Sequence, residues 1–100
     1  MSMIQAGSIT LDSKNASETR NNNLTTFETV IFPSPFPAGA NVIVSAQTQT
    51  FNGNQTPGIR LADVTEAGFK IRFNELVTNK GAISDGKHIE ETVGWVAYSV

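Results

Sequence analysis

Cysteine is absent from this 100-residue chain, so neither a disulfide framework nor a thiolate metal site can form. Charge is sparse. Only 16% of residues are Asp, Glu, Lys or Arg, against about 25% in an ordinary soluble domain. The seven basic residues are scattered and the net charge is −2, so the basic patch that a nucleic-acid binder needs is missing. No apolar run approaches the length of a membrane-spanning helix. The segment from Met1 to Gly7 lacks the basic start and apolar stretch of a secretory signal. A chain without a leader is expected, either cytoplasmic, secreted by another route, or part of a virion or tail particle.

Helical periodicity is also missing. What is present is short-range alternation, broken by polar turns. Strands are expected over Ile4 to Leu11 (an edge strand), Thr25 to Phe32, Asn41 to Thr50, Ile59 to Val64, Gly68 to Phe73 and Glu91 to Val100. Asp12 to Asn23 reads as a polar loop, and Glu75 to Lys87 as another. Pro33, Pro35 and Pro37 end the second strand by removing ladder donors. Phe36, among them, is expected to pin that turn to the core. Asn52-Gly53 reads as a turn whose residues tolerate positive φ. Phe69, Ile71 and Phe73 share one face, with Lys70, Arg72 and Asn74 on the other. The last strand is apolar on both faces, which predicts a central strand or one covered by a second subunit. A single all-β domain over residues 1–100, a six-stranded antiparallel β-sandwich, is the expected fold.

Composition and motifs predict no enzyme. No catalytic triad is recognisable around the single histidine, and no phosphate-cradling glycine loop occurs. The excess of Ser, Thr, Asn and Gln suits hydrogen bonding to a neutral partner. The sequons at Asn15, Asn23 and Asn54 occur at about chance frequency in so Asn-rich a chain.

Five pieces in order carry a resemblance: Val30-x-Phe32, Ser34-Pro35-Phe36, Asn41-Val42-Ile43-Val44-Ser45, Asp63-Val64-Thr65-x-x-Gly68-Phe69 and Val93-Gly94-Trp95-Val96-Ala97. Together they resemble the H-type lectins, which include snail agglutinins and the C-terminal domains of slime-mould discoidins. The likeness covers Thr25 to Tyr98. It implies subunits assembled into trimers, sometimes paired as hexamers, with galactose or N-acetylgalactosamine held in clefts between subunits, and no cofactor. It also implies that Trp95 is a core residue.

By that resemblance, Asn21, followed by Asn22, falls near an acidic sugar-binding position. Arg60 is the basic residue of its strand, although Thr56 lies closer to the family's binding position. The family's aromatic and polar pair would fall at Glu75-Leu76-Val77, where this chain has no aromatic. Glu75 with the segment Asp85 to Glu91 offers a substitute. His88 there has three readings: a hydrogen-bonded structural residue, a sugar contact, or a metal ligand with Glu75 and Glu91. The expected function is carbohydrate binding, with glycans or glycoconjugates as partners. The alternative is a structural or receptor-binding tip module of a phage or phage-like tail fibre.

Overall fold

A computed structural model describes residues 3–74 and 85–100, which hold six strands and no helix. In chain order these are β1 (Ile4–Ser13), β2 (Glu28–Ile31), β3 (Val42–Thr48), β4 (Gly58–Ala62), β5 (Gly68–Asn74) and β6 (His88–Ser99). They form two antiparallel three-stranded sheets, a first in the order β1-β6-β3 and a second in the order β2-β5-β4. One apolar cluster joins the inner faces of the two sheets, giving a sandwich-like all-β domain.

Alternation builds that core. Along β6, Glu91, Val93, Trp95, Ala97 and Ser99 are buried, while the residues between them are half-buried. As expected, β6 is central in its sheet and β1 is an edge. On β5 the buried apolar residues are Phe69, Ile71 and Phe73. Each such side chain contributes roughly 1.5–3 kcal/mol by leaving water. Phe32, Phe69 and Trp95 pack in tilted and edge-on contacts at centroid separations of 5.6–5.8 Å. Phe36 closes the cluster edge-on to Phe32 at 5.2 Å, and its N–H donates to the Glu66 carbonyl at 2.8 Å. Thus the proline-rich turn is pinned through Phe36. Gly7 lies opposite Trp95 on β1, where a Cβ would come within 2.6 Å of the indole ring.

Several expectations need correction. β4 ends at Ala62 and not at Val64, and β6 begins at His88 and not at Glu91. β1 runs on to Ser13 through a register shift after Leu11, so Asp12 belongs to the strand. Ladder pairing in β2 begins only at Glu28. Before it, the Phe27 N–H bonds the Leu24 carbonyl at 3.1 Å and the Thr26 hydroxyl is taken up by Arg72, so the chain curls away. Asn52-Gly53 does not use positive φ at either residue. Gly53 answers a steric need instead, because a Cβ there would lie 2.6 Å from the His88 ring. The loop expected over Glu75 to Lys87 lies outside the described residues as far as residue 84.

Candidate functional site

Position on β5 puts Arg72 on the outer face of the second sheet, yet it is buried. The loop of residues 14–27 folds over it. Arg72 Nε donates to the Phe73 carbonyl at 2.9 Å, and Nη2 donates to the carbonyls of Asn15, at 3.3 Å, and Ala16. Nη1 donates to the Thr26 hydroxyl. A planar guanidinium can hold several carbonyls at once in a way that an ammonium cannot. Two residues further on, Asn74 clamps the same loop. Its Oδ1 accepts the Glu18 N–H at 2.8 Å and its Nδ2 donates to the Glu18 carbonyl at 3.2 Å.

The fastened loop forms one wall of a cleft of 520 Å³. Glu18, Arg20, Asn21, Asn22 and Asn23 line it on that side, and Arg60 and Asp63 on the other. Leu24 and Phe27 supply apolar surface, while Leu61, opposite Ile71 on β5, packs against the core. Asn21 and Asn22 are the central residues of a tight turn closed by the Asn23 N–H on the Arg20 carbonyl at 3.2 Å. Asn22 has φ of 62° there, and Asp63, just past β4, has φ of 48°. Among the described residues these are the only non-glycine residues in the left-handed region, and both line this cleft. Asn and Asp are the types that tolerate such backbone best, and uncommon conformations gather at functional sites.

Charge in the cleft is balanced between two carboxylates, Glu18 and Asp63, and two guanidiniums, Arg20 and Arg60. Glu18 is the organised member. Its Oε1 accepts the Arg20 N–H at 2.7 Å and its Oε2 accepts from the Asn23 amide. The Arg20 N–H holds this carboxyl below its ordinary value of 4.5; partial burial opposes that, and the Asn23 amide and Arg20 guanidinium reinforce it. By contrast, the side chains of Asn21, Asn22, Arg60 and Asp63 have no hydrogen-bond partner among the described residues. Arg60 is exposed and stands directly across the ladder from Arg72.

Of the residues singled out by sequence, the structure brings Asn21, Asn22 and Arg60 into this one cleft. His88 is not among its lining residues. Its side chain is 7% exposed, hydrogen-bonded through Nε2 to Glu91 Oε2, and packed edge-on against Phe73 at 5.4 Å. Thr56 lines a different depression, between β3 and β4. Glu75 lies outside the described residues. Among the described residues, no three His, Asp or Glu side chains are grouped to hold a metal.

No protein-family model, curated protein or solved structure matches the chain. The cleft therefore has to be read from its own chemistry. Glu18, Arg20, Asp63 and Asn74 are among the members that the sequence did not single out. Glu18 carries a faint signal, as the one carboxylate in the middle of the first polar loop.

Proposed function

We propose that the chain is a carbohydrate-binding lectin that takes a galactose-type or related glycan at the cleft between the 14–27 loop and β4. The observation that carries this reading is the set of unengaged side chains there: two amides, a guanidinium and a carboxylate, charge-balanced and set beside apolar surface. Amides and charged groups donate to and accept from ring hydroxyls, while Leu24 and Phe27 suit the C–H surface of a sugar. A site with no net charge favours a neutral ligand over a phosphate. The resemblance of the core segments to H-type lectins points the same way.

The reading extends to a homo-oligomer, a trimer that can pair into a hexamer. Its support is the outer face of the first sheet, where Ile4, Tyr98 and Ile43 lie side by side, then Ala6, Val96 and Ser45, then Ser8, Gly94 and Gln47. This face carries no charge over three rows, and Ile4 is 72% exposed in the single chain. Repetition of a shallow site in an oligomer raises avidity through effective concentration. The same face also serves the second reading, a receptor-binding tip of a phage-like tail fibre, in which the copies are held together by a larger assembly.

A glycan array followed by calorimetry with the inhibiting monosaccharide tests the proposal. Asn21→Ala combined with Arg60→Ala is expected to weaken binding at least about tenfold, since a hydrogen bond to a charged group is worth about 1.5–3 kcal/mol. Unchanged affinity in that double variant, or no glycan binding by the parent protein, overturns it. Light scattering reads the oligomeric state separately.

A further inference from the structure

The loop between β3 and β4 presents the most exposed large hydrophobic side chain among the described residues: Phe51, 91% accessible. An isolated aromatic ring in water is unremarkable on a mobile tail. Phe51 is not so placed. The residues on either side of it are both tied to one buried carboxylate, Glu91, whose Oε1 accepts the Thr50 hydroxyl at 3.2 Å and the Asn52 N–H at 3.0 Å. Further bonds hold the same turn to β6. Asn52 Nδ2 donates to the Glu90 carbonyl at 2.9 Å, the Thr92 N–H to the Thr50 hydroxyl at 2.9 Å, and the Gln49 N–H to the Thr92 carbonyl at 2.7 Å. Glu91 is itself fixed by His88, whose ring fills the space under Gly53. The backbone that carries the ring is thus organised before any ligand arrives, which removes part of the ordering cost of binding.

Beside the ring is a depression of 250 Å³ lined by Thr48, Asn54, Gln55, Thr56 and Pro57. Every polar side chain that reaches it from the loop is a neutral hydroxyl or amide, and the one carboxylate, Glu91, is already engaged. No other large exposed hydrophobic lines it among the described residues, so an apolar peptide or a lipid surface would find a single ring rather than a patch. A flat aromatic plate beside neutral hydroxyls and amides matches a sugar, which offers C–H groups on one face and hydroxyls around its edge. The volume lies below the about 300–1,000 Å³ usual for larger small-molecule pockets, which suits one ring of a glycan.

We propose that the β3–β4 loop is a second saccharide site, with Phe51 as the stacking plate and Asn54, Gln55 and Thr56 as hydroxyl partners. It deepens the carbohydrate-binding reading but uses none of the residues of the first cleft. Backbone-amide NMR titration of the whole chain with galactose, glucose, mannose, fucose, N-acetylgalactosamine and N-acetylglucosamine tests it. At least one sugar is expected to shift the amides of residues 50–56. In Phe51→Ala that response weakens at least about tenfold, the loss expected when a ring that anchors an interface is truncated, and in Phe51→Trp it is retained. An absence of shifts at residues 50–56 with all six sugars, or the same titration curve in Phe51→Ala, overturns the second site. Shifts at residues 18–24 and 60–63 report on the first cleft independently, so the failure of either site is seen without the other.

Discussion

Two of the loops that leave the ladders among the described residues, 14–27 and 49–57, are each fastened by a buried charged side chain, and the two charges are of opposite sign. Arg72 reaches out of β5 and collects carbonyl and hydroxyl oxygens of the first loop. Glu91 lies in β6 and collects an N–H and a hydroxyl of the second. A cation suits a segment that turns its carbonyls inward, and an anion suits one that turns its N–H groups inward. The contrast shows that the outer surface is shaped less by apolar burial than by which backbone groups each loop leaves unpaired by a ladder. Both candidate sugar sites lie on loops held in this way.

Removing the cation should have the larger effect. Arg72→Ala withdraws all the guanidinium hydrogen bonds and exposes the sheet beneath the loop. The expected cost is about 2–4 kcal/mol, since hydrogen bonds to charged groups are worth about 1.5–3 kcal/mol each and the freed carbonyls regain water. For a domain of this size the melting temperature should fall by on the order of 10–20 °C. Hydrogen exchange should rise across residues 15–27 and remain unchanged across 49–53. Arg72→Lys should recover only part of the loss, because one ammonium cannot span the separate acceptors. A lysine variant as stable as the parent, or equal loosening of both loops, breaks the contrast.

Glu91→Gln should act on the other loop, and less severely, because the amide oxygen still accepts from Thr50 and Asn52. Its signature is in the pH dependence. Burial pushes the Glu91 carboxyl up, but the hydrogen bonds from His88, the Asn52 N–H and the Thr50 hydroxyl, with the electrostatic pull of His88, hold it below 4.5. A carboxyl depressed in the folded state binds its proton more readily in the unfolded chain. Its contribution to stability is therefore complete above about pH 4.5 and is lost as the pH falls further, through the folded value. The gap in melting temperature between the parent and Glu91→Gln should be widest near neutrality and close below pH 4.5. A gap that stays constant across this range would show that packing, not ionisation, holds the loop.

Much of the sandwich is legible from alternation, because an inner face is enforced every second residue along a strand. Phe69, Ile71 and Phe73 on β5, and Val93, Trp95 and Ala97 on β6, can be read that way. Phe36 is legible for the same reason: an aromatic among prolines has nowhere favourable to go but the core. The loops are not. Alternation places Arg72 on an outer face but says nothing of a segment more than 40 residues earlier that covers it. The need for glycine at position 53 comes from His88, far along the chain, and not from local turn preference. Phe51 passes unnoticed in sequence, since one phenylalanine at the end of an alternating run looks like the last residue of a strand. In the cleft, Asn21 and Asn22 are singled out by likeness to a pattern, and Arg60 as the basic residue of its strand. Glu18 and Asp63 join them only because Asn74 and a left-handed turn after β4 bring them there.

The smallest effect on stability, and the sharpest on interpretation, belongs to Arg60. It stands opposite Arg72 on adjacent strands, a like-charge pair that costs stability. Arg72 holds its loop through several hydrogen bonds and Arg60 makes none among the described residues, so Arg60 is the member that folding could spare. Arg60→Thr should leave the domain within about 0.5 kcal/mol of the parent, with the change on the stabilising side, because the repulsion ends and an exposed side chain loses no hydrogen bond. Glycan affinity at the first cleft should fall in the same variant. A guanidinium that weakens the fold and strengthens ligand binding is explained by function and not by architecture. If Arg60→Thr instead destabilises the domain, the arginine has a structural duty; if it binds glycan as the parent does, Arg60 is not a ligand donor of the cleft. Thermal melts and calorimetry on the one variant decide between these outcomes, and they do so without disturbing either anchored loop.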